Sequence, residues 1–254
     1  MEEIMEKKYK VDKKIKKKRI LIMTMIILLL ISLLFFILFT QTTLFHVKNI
    51  NIKGKNELED EKIILASGII KGENIFKINK KTIVENLTDH PYIKTANIDM
   101  KLPDTFVINI QERKEVIVYN NNGNYIYIDN EGFVLNTLSK LKNKNIPLLE
   151  TTHSIEYELN KKINFKNNNY ISKILKLLNN YNKEQYSYKI SKIIEQDKNT
   201  TLVLNSGINV ALDGLNDIKY KLEFIEKIVK DLEDKGISVK QIKFDKGKNP
   251  IVIK

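Results

Sequence analysis

The pattern of apolar and polar positions begins with one long uninterrupted run. From Ile20 to Phe39 there are 20 residues without a charge, and only Thr24 and Ser32 are not apolar. As a helix the run is about 30 Å long, the thickness of a bilayer's hydrocarbon core, which predicts one crossing. No later run is comparable, because Lys, Asp, Glu or Asn interrupts each of them. A charged side chain at mid-membrane costs roughly 2.5–3.5 kcal/mol.

Beyond this run the periods become short. Ile50 and Ile52 alternate with Asn and Lys across Val47 to Lys53, predicting a half-buried strand closed at Gly54. Asn56 with Glu59 reads as a capping box opening a helix through Ile63, Ile64 and Ala66 to Gly68. A second helix is expected from Asn79 to Asp89, with Ile83 and Leu87 on one face and Pro91 beyond its end. Ala96, Ile98, Met100 and Leu102, a turn at Pro103 and Asp104, then Phe106, Ile108 and Ile110 predict a hairpin with one apolar face. Strand, helix, helix, strand, strand makes a small core of two helices on one face of a three-stranded sheet.

After Arg113 the pattern predicts short strands at Val116 to Tyr119, Tyr125 to Ile128 and Phe133 to Leu135, with turns at Gly123 and Gly132. A helix is expected at Tyr170 to Tyr181, then strands at Ile190 to Glu195, Thr200 to Leu204 and Ile208 to Leu212. Leu215 to Leu232 carries the best helical stripe, and Ile237 to Phe244 and Pro250 to Ile253 are the last strands. The fold class is α+β: a single N-terminal transmembrane helix, a β-α-α-β-β domain, and a mixed α/β domain with a mainly antiparallel sheet covered by helices. The expected divisions are a basic cytoplasmic tail (1–19), the transmembrane helix (20–40), a linker (41–45), the first domain (46–113) and the second (114–254).

Charge adds an orientation. The chain carries 43 Lys and Arg against 31 Asp and Glu, a net +12. Residues 1–19 hold +5 of this, with Lys16, Lys17, Lys18 and Arg19 directly against the span, whereas Thr40 to Glu59 holds three Lys and two Glu. The positive-inside rule then places the N-terminus in the cytoplasm and the folded part outside. A cleavable signal peptide would have a shorter apolar core and a small-residue site, and Phe35, Phe36 and Phe39 lead instead into Thr40 and Gln41. The basic tail also fits a nucleic-acid patch, but its position beside the span is better explained by topology and attraction to anionic lipid. The remaining excess is spread without Arg clusters, so nucleic acid is not expected as a partner.

Candidate chemistry is sparse. With no Cys there is no disulfide, thiolate metal site or cysteine nucleophile. His46, His90 and His153 lie far apart, and there is no HExxH, paired-carboxylate or Gly-rich phosphate motif. Ser139 and Lys142 match the S-x-x-K of penicillin-recognising enzymes, but in so Lys-rich a chain one or two such matches arise by chance, and the accompanying elements are missing. Neither catalysis, nor a metal or cofactor, nor a small-molecule substrate is expected.

Several ordered fragments carry a family resemblance: Phe45 to Val47, Gly54 to Asn56, Gly68 and Ile69, Gly72 to Phe76, Pro91 to Ile93, Ala96, Leu102 to Thr105, Glu112 and Arg113, and Asp129 to Leu135. Together, behind one apolar run, they resemble the FtsQ/DivIB bacterial cell-division proteins. The resemblance implies that the first domain is a POTRA domain, followed by the family's β domain, and that the chain is a bitopic scaffold of the divisome in the cell membrane at the septum. Its implied partners are the small single-span division proteins of the FtsB/DivIC and FtsL type, and through them, indirectly, the septal peptidoglycan synthase complex. Some members continue into a flexible tail, for which Lys254 is expected to leave no room. The resemblance places partner contacts on the last strand and the preceding helix. The candidate residues are Phe244, Lys246, Ile251, Val252 and Ile253, since an apolar strand late in the chain offers an edge to a partner strand. Gly72, Asn74, Pro103 and Arg113 read as fold determinants. A POTRA-containing export or envelope-biogenesis module is the alternative function, and a membrane-tethered wall hydrolase lacks its catalytic set.

Overall fold

The computed structural model describes residues 2–142, 145–165, 169–196, 199–244 and 250–253. The opening run is helical, as its pattern predicts, and belongs to one continuous helix, α1 (Glu2–Gln41). Residues Lys13–Ile37 are long and apolar enough to cross a membrane, and every side chain among them is exposed. A helix that is apolar all round has no polar face to give to water. A 3-10 turn (Thr43–Phe45) comes next. By compactness the chain forms two units, one of residues 1–86 and 97–109, the other of residues 87–96 and 110–254.

After α1 come β1 (Asn49–Lys53), α2 (Asp60–Ser67), α3 (Lys80–Thr88), β2 (Ile93–Lys101) and β3 (Thr105–Glu112). The three strands form one sheet in the order β1-β3-β2. β1 runs parallel to β3, with Ile50 opposite Phe106 and Ile52 opposite Ile108. Val47, Ile63, Ile75, Ile83, Phe106 and Ile108 are buried in the first unit. Val107 is buried too, so the expected alternation breaks along β3, the central strand. The helix after Gly54 starts later than the capping box predicts: Glu59 is its N-cap, without a side-chain cap bond, and Asp60 and Glu61 sit in its first turn, where the helix dipole favours them. Gly68 ends α2 in the left-handed conformation at φ 70°. α3 is capped by Asn79, whose Oδ1 accepts from Lys81 N–H at 2.9 Å.

The second unit contains β4 (Glu115–Asn121), β5 (Asn124–Asp129), β6 (Val134–Leu138), β7 (Leu148–Thr151), α4 (Asn169–Tyr181), β8 (Ile190–Gln196), β9 (Asn199–Leu204), β10 (Asn209–Leu212), α5 (Ile218–Asp234), β11 (Gln241–Lys243) and β12 (Ile251–Ile253). Among the described residues these strands form one nine-stranded sheet, ordered β12-β11-β10-β9-β8-β7-β4-β5-β6. Five of its pairings are antiparallel (β4/β5, β5/β6, β8/β9, β9/β10, β11/β12) and three parallel (β4/β7, β7/β8, β10/β11), which makes it mainly antiparallel as expected. α4 and α5 pack on each other, and their apolar stripes (Ile171, Ile174, Leu178; Leu222, Ile225, Val229) share one core with Ile126, Leu149, Leu202 and Val210 of the sheet. α5 starts at Ile218 rather than Leu215, because Asp217 is left-handed (φ 49°) and the buried Lys221 holds the preceding loop, donating to Asp213 Oδ1 at 2.6 Å and Gly214 O at 2.9 Å.

Arg113, expected to serve the fold, sits in a buried ionic cluster of this unit. Its Nη1 donates to Asp129 Oδ2 at 2.6 Å and to Glu131 Oε2 at 3.0 Å, and its guanidinium lies 3.7 Å above the centre of the Phe133 ring. Segment 87–96 joins the same cluster. Lys94 Nζ donates to Glu131 Oε1 at 2.7 Å, Tyr92 OH to Glu115 Oε1 at 2.5 Å, and Arg113 N–H to Tyr92 O at 2.8 Å.

Candidate partner-binding edge

The candidate edge is built by the chain beyond α5. Gly236, at φ 64°, donates its N–H to Glu233 O at 3.1 Å, and Ile237 N–H reaches back to Leu232 O at 2.9 Å. These two bonds are a Schellman closure, which stops the helix and turns the chain. The turn consumes residues the alternation assigned to a strand, so β11 is only three residues long. It runs parallel to β10 with Val210 opposite Ile242, and Phe244 N–H donates to Ala211 O at 2.9 Å. β12 then folds back antiparallel, with Ile251 opposite Lys243, Val252 opposite Ile242 and Ile253 opposite Gln241.

The four described candidate residues occupy two different environments. Phe244 is 6 % exposed and belongs to the core cluster, so its ring supports β11 from inside the apolar layer. Lys246 lies outside the described residues. Ile251, Val252 and Ile253 are 50, 41 and 42 % exposed. Alternation puts Ile251 and Ile253 on one face and Val252 on the other, so neither face of β12 is covered. As the terminal strand of nine, β12 has β11 on one flank and no strand on the other among the described residues.

The opposite end of the sheet is finished differently. There Val134 N–H donates to Lys161 O at 3.0 Å, Asn160 N–H donates to Val134 O at 2.9 Å, and Phe133 bridges Lys162, so a crossing segment seals the start of β6. Proteins blunt free edges with charge, proline or cover. β12 carries three bare β-branched residues, while Lys240 and Lys243, before and on the neighbouring β11, are exposed. Neither Lys has a carboxylate partner among the described residues.

The sequence reading missed two features of α5. Tyr220 and Phe224 make a tilted ring contact on α5 with ring centres 5.6 Å apart, Tyr220 well exposed; an i, i+4 aromatic pair outside the apolar stripe was the available signal. A shallow recess of about 320 Å³ lies at the end of α5, lined by Ile208, Val229, Leu232, Ile237 and Val239. On the same helix, burial pushes the Glu226 carboxyl up, but hydrogen bonds from Lys230 and Ser187 outweigh it and leave the group below its ordinary value.

Elsewhere, Lys16, Lys17, Lys18 and Arg19 are exposed on α1. Ser139 and Lys142 lie on the loop after β6, where Lys142 N–H donates to Tyr127 OH at 2.8 Å. His153 Nε2 lies 3.7 Å from the buried Glu195 carboxylate. Among the described residues no group of three or more His, Cys, Asp or Glu could hold a metal ion.

A family model for the FtsQ-type POTRA domain matches residues 45–113, and one for the C-terminal part of the cell division protein FtsQ/DivIB matches residues 116–245. The chain belongs to the FtsQ/DivIB family of cell division proteins. The three-stranded sheet with α2 and α3 is its POTRA fold, and the strands from β4 to β11 lie in the region of the family's C-terminal model, while β12 follows its last matched residue. Cell division protein DivIB of Clostridium tetani is 28% identical over 190 residues, covering 75% of this chain and 65% of the relative. DivIB of Clostridium acetobutylicum is 35% identical over 106 residues, covering 42% of this chain and 43% of its own. FtsQ of Rickettsia bellii is 27% identical over 188 residues, covering 73% and 64%. The matches thus span from under half to about two thirds of these relatives' lengths.

Proposed function

We propose that this FtsQ/DivIB family member is a bitopic scaffold of the bacterial divisome, with α1 as its membrane anchor, its N-terminus in the cytoplasm and its folded part outside. In this reading it sits at the septum and holds small single-span division proteins of the FtsB/DivIC and FtsL type, through which it influences septal peptidoglycan synthesis. The observation that carries the reading is the bare flank of β12. An added strand there would take its affinity from main-chain hydrogen bonds and its selectivity from alternate side chains meeting Ile251 and Ile253 on one face and Val252 on the other. Phe244 contributes by holding β11 in place, and Lys243 by favouring a partner strand that carries carboxylates. The charge of Lys16, Lys17, Lys18 and Arg19 supports the orientation.

The test is co-purification of the full-length chain with the small single-span proteins from membranes, comparing wild type with Ile251→Asp and Val252→Pro. Retention of the partners is expected to fall about tenfold, equivalent to ~1.4 kcal/mol, with the variants still melting cooperatively. Undiminished binding by both variants would reject β12 as the site. Orientation is checked with a reporter enzyme active only outside the membrane, expected to work when fused at Lys254 and not at Glu2.

A further inference from the structure

Three large apolar side chains of the first unit face solvent where the chain leaves α1: Leu44, Ile70 and Phe76, 54, 67 and 41 % exposed. Leu44 is three residues beyond the end of α1 at Gln41, so at ~3.3–3.6 Å per residue it lies within roughly 11 Å of the helix end however the chain turns. Ile70 and Phe76 are far along the sequence but tied to the same place. Gly72 N–H donates to Val47 O at 2.9 Å, Val47 N–H to Glu73 O at 2.9 Å, and Ile75 N–H to Phe45 O at 2.8 Å, while the Phe45 and Phe76 rings lie 5.4 Å apart. Gly72, at φ 89°, and the Asn74 side chain, which accepts from Phe76 N–H at 3.0 Å, shape the loop that presents them. The exposed Lys71 and Lys77 bracket it against one carboxylate, Glu73.

We propose that this loop is a membrane-interface contact: Ile70, Phe76 and Leu44 enter the headgroup region of the bilayer that α1 spans, with Lys71 and Lys77 on lipid phosphates. The headgroup layer on each side of the hydrocarbon core is several ångströms deep, which is within the reach set by the short connection. Aromatic and aliphatic side chains flanked by Lys suit that layer, because it takes the apolar body and leaves the ammonium in water. An apolar cluster held this close to the end of a span meets lipid before any other surface. The consequence is positional, since a second attachment beside the helix restricts how the POTRA fold can swing about its anchor.

The inference rests on the reading of α1 as an anchor, and the experiment separates the two. The chain contains no Trp, so one introduced Trp reports alone. Full-length Phe76→Trp, Ile70→Trp and Leu30→Trp are reconstituted in vesicles of phosphatidylglycerol and phosphatidylcholine whose acyl chains are brominated at shallow or deep positions. Phe76→Trp and Ile70→Trp are expected to emit blue-shifted from a water-exposed indole and to be quenched by shallow bromines, and Leu30→Trp to be quenched by deep ones. Water-like, unquenched emission from both loop variants while Leu30→Trp is quenched overturns the contact and leaves the anchor standing. An unquenched Leu30→Trp removes the anchor and the contact with it. Loop indoles that leave water only when partner proteins are added assign the surface to protein and also overturn the proposal.

Discussion

Arg113 and Asp129 form a buried ion pair, Nη1 to Oδ2 at 2.6 Å, with the two side chains only 9 and 1 % exposed. Asp129 is fully used: its Oδ1 accepts from the backbone N–H groups of Glu131 at 2.9 Å and Phe133 at 2.8 Å. One carboxylate therefore closes the β5–β6 turn and anchors the guanidinium. Breaking a buried pair by removing one partner costs about 3–5 kcal/mol, because the other charge stays buried. Asp129→Ala is expected to lose stability of that order in urea denaturation. Asp129→Asn, which keeps an oxygen for the two N–H groups, is expected to lose less.

Glu131 gives the cluster a pH dependence. The hydrogen bond from Lys94, with Arg113 adding to it, holds its carboxyl below the ordinary value of 4.5 despite some desolvation. A carboxyl lowered in the native state stabilises the fold above the unfolded value, and that contribution disappears as pH falls through the native one. Wild-type stability is thus expected to decline below about pH 4.5, and Glu131→Gln to flatten that decline without altering stability differences between pH 6 and 8. Denaturation midpoints over a pH series check this.

Gly132 completes the same turn at φ 91°, and a Cβ there would lie 2.4 Å from Phe165 Cζ. Gly132→Ala combines a left-handed cost of roughly 1–2 kcal/mol with displacement of that ring. Its melting temperature is expected to fall, whereas Gly123→Ala, equally left-handed but in open space, is expected to fall less.

The elements legible in the sequence are those whose pattern is local. α4 and α5 are predicted by Ile171, Ile174 and Leu178 and by Leu222, Ile225 and Val229, and the POTRA hairpin by Ile98, Phe106 and Ile108. Non-local features were harder to read. β7, four residues between β4 and β8, is parallel to both and draws its partners from distant sequence, so Leu148 and Leu149 gave no alternation to notice. The late start of α5 depends on the tertiary bond from Lys221. At the candidate edge, the apolar alternation of Ile251 to Ile253 is visible in sequence, but which flank stays bare depends on the sheet order. An aromatic at a strand start looks the same whether it faces solvent or, like Phe244, the core.

Glu195 is a buried carboxylate whose hydrogen bond from Thr151 Oγ1, at 2.7 Å, links β8 to β7. The same Oγ1 accepts from His153 N–H at 3.1 Å. Thr151→Val keeps the volume but deletes both functions, leaving Glu195 short of a donor. A loss of about 1–3 kcal/mol is expected, with Thr151→Ser restoring most of it in the same denaturation assay.

Charge beside the bare strand sets the last expectation. Lys240 and Lys243 lie beside β12 without carboxylate partners among the described residues, so on the proposed function an incoming strand with Asp or Glu is expected to be attracted before it pairs. Exposed charges of this kind act on encounter more than on the final complex, and salt screens them beyond a Debye length of about 8 Å at physiological ionic strength. Reversing Lys243 to Glu is expected to slow association and to remove most of its salt dependence, leaving dissociation nearly unchanged. Ile251→Asp, which perturbs the strand itself, is expected to speed dissociation. Surface-captured full-length protein in nanodiscs, titrated with a partner ectodomain at two ionic strengths, resolves the two rates. Equal effects of both variants on dissociation would mean that Lys243 lies inside the bound contact, not beside it.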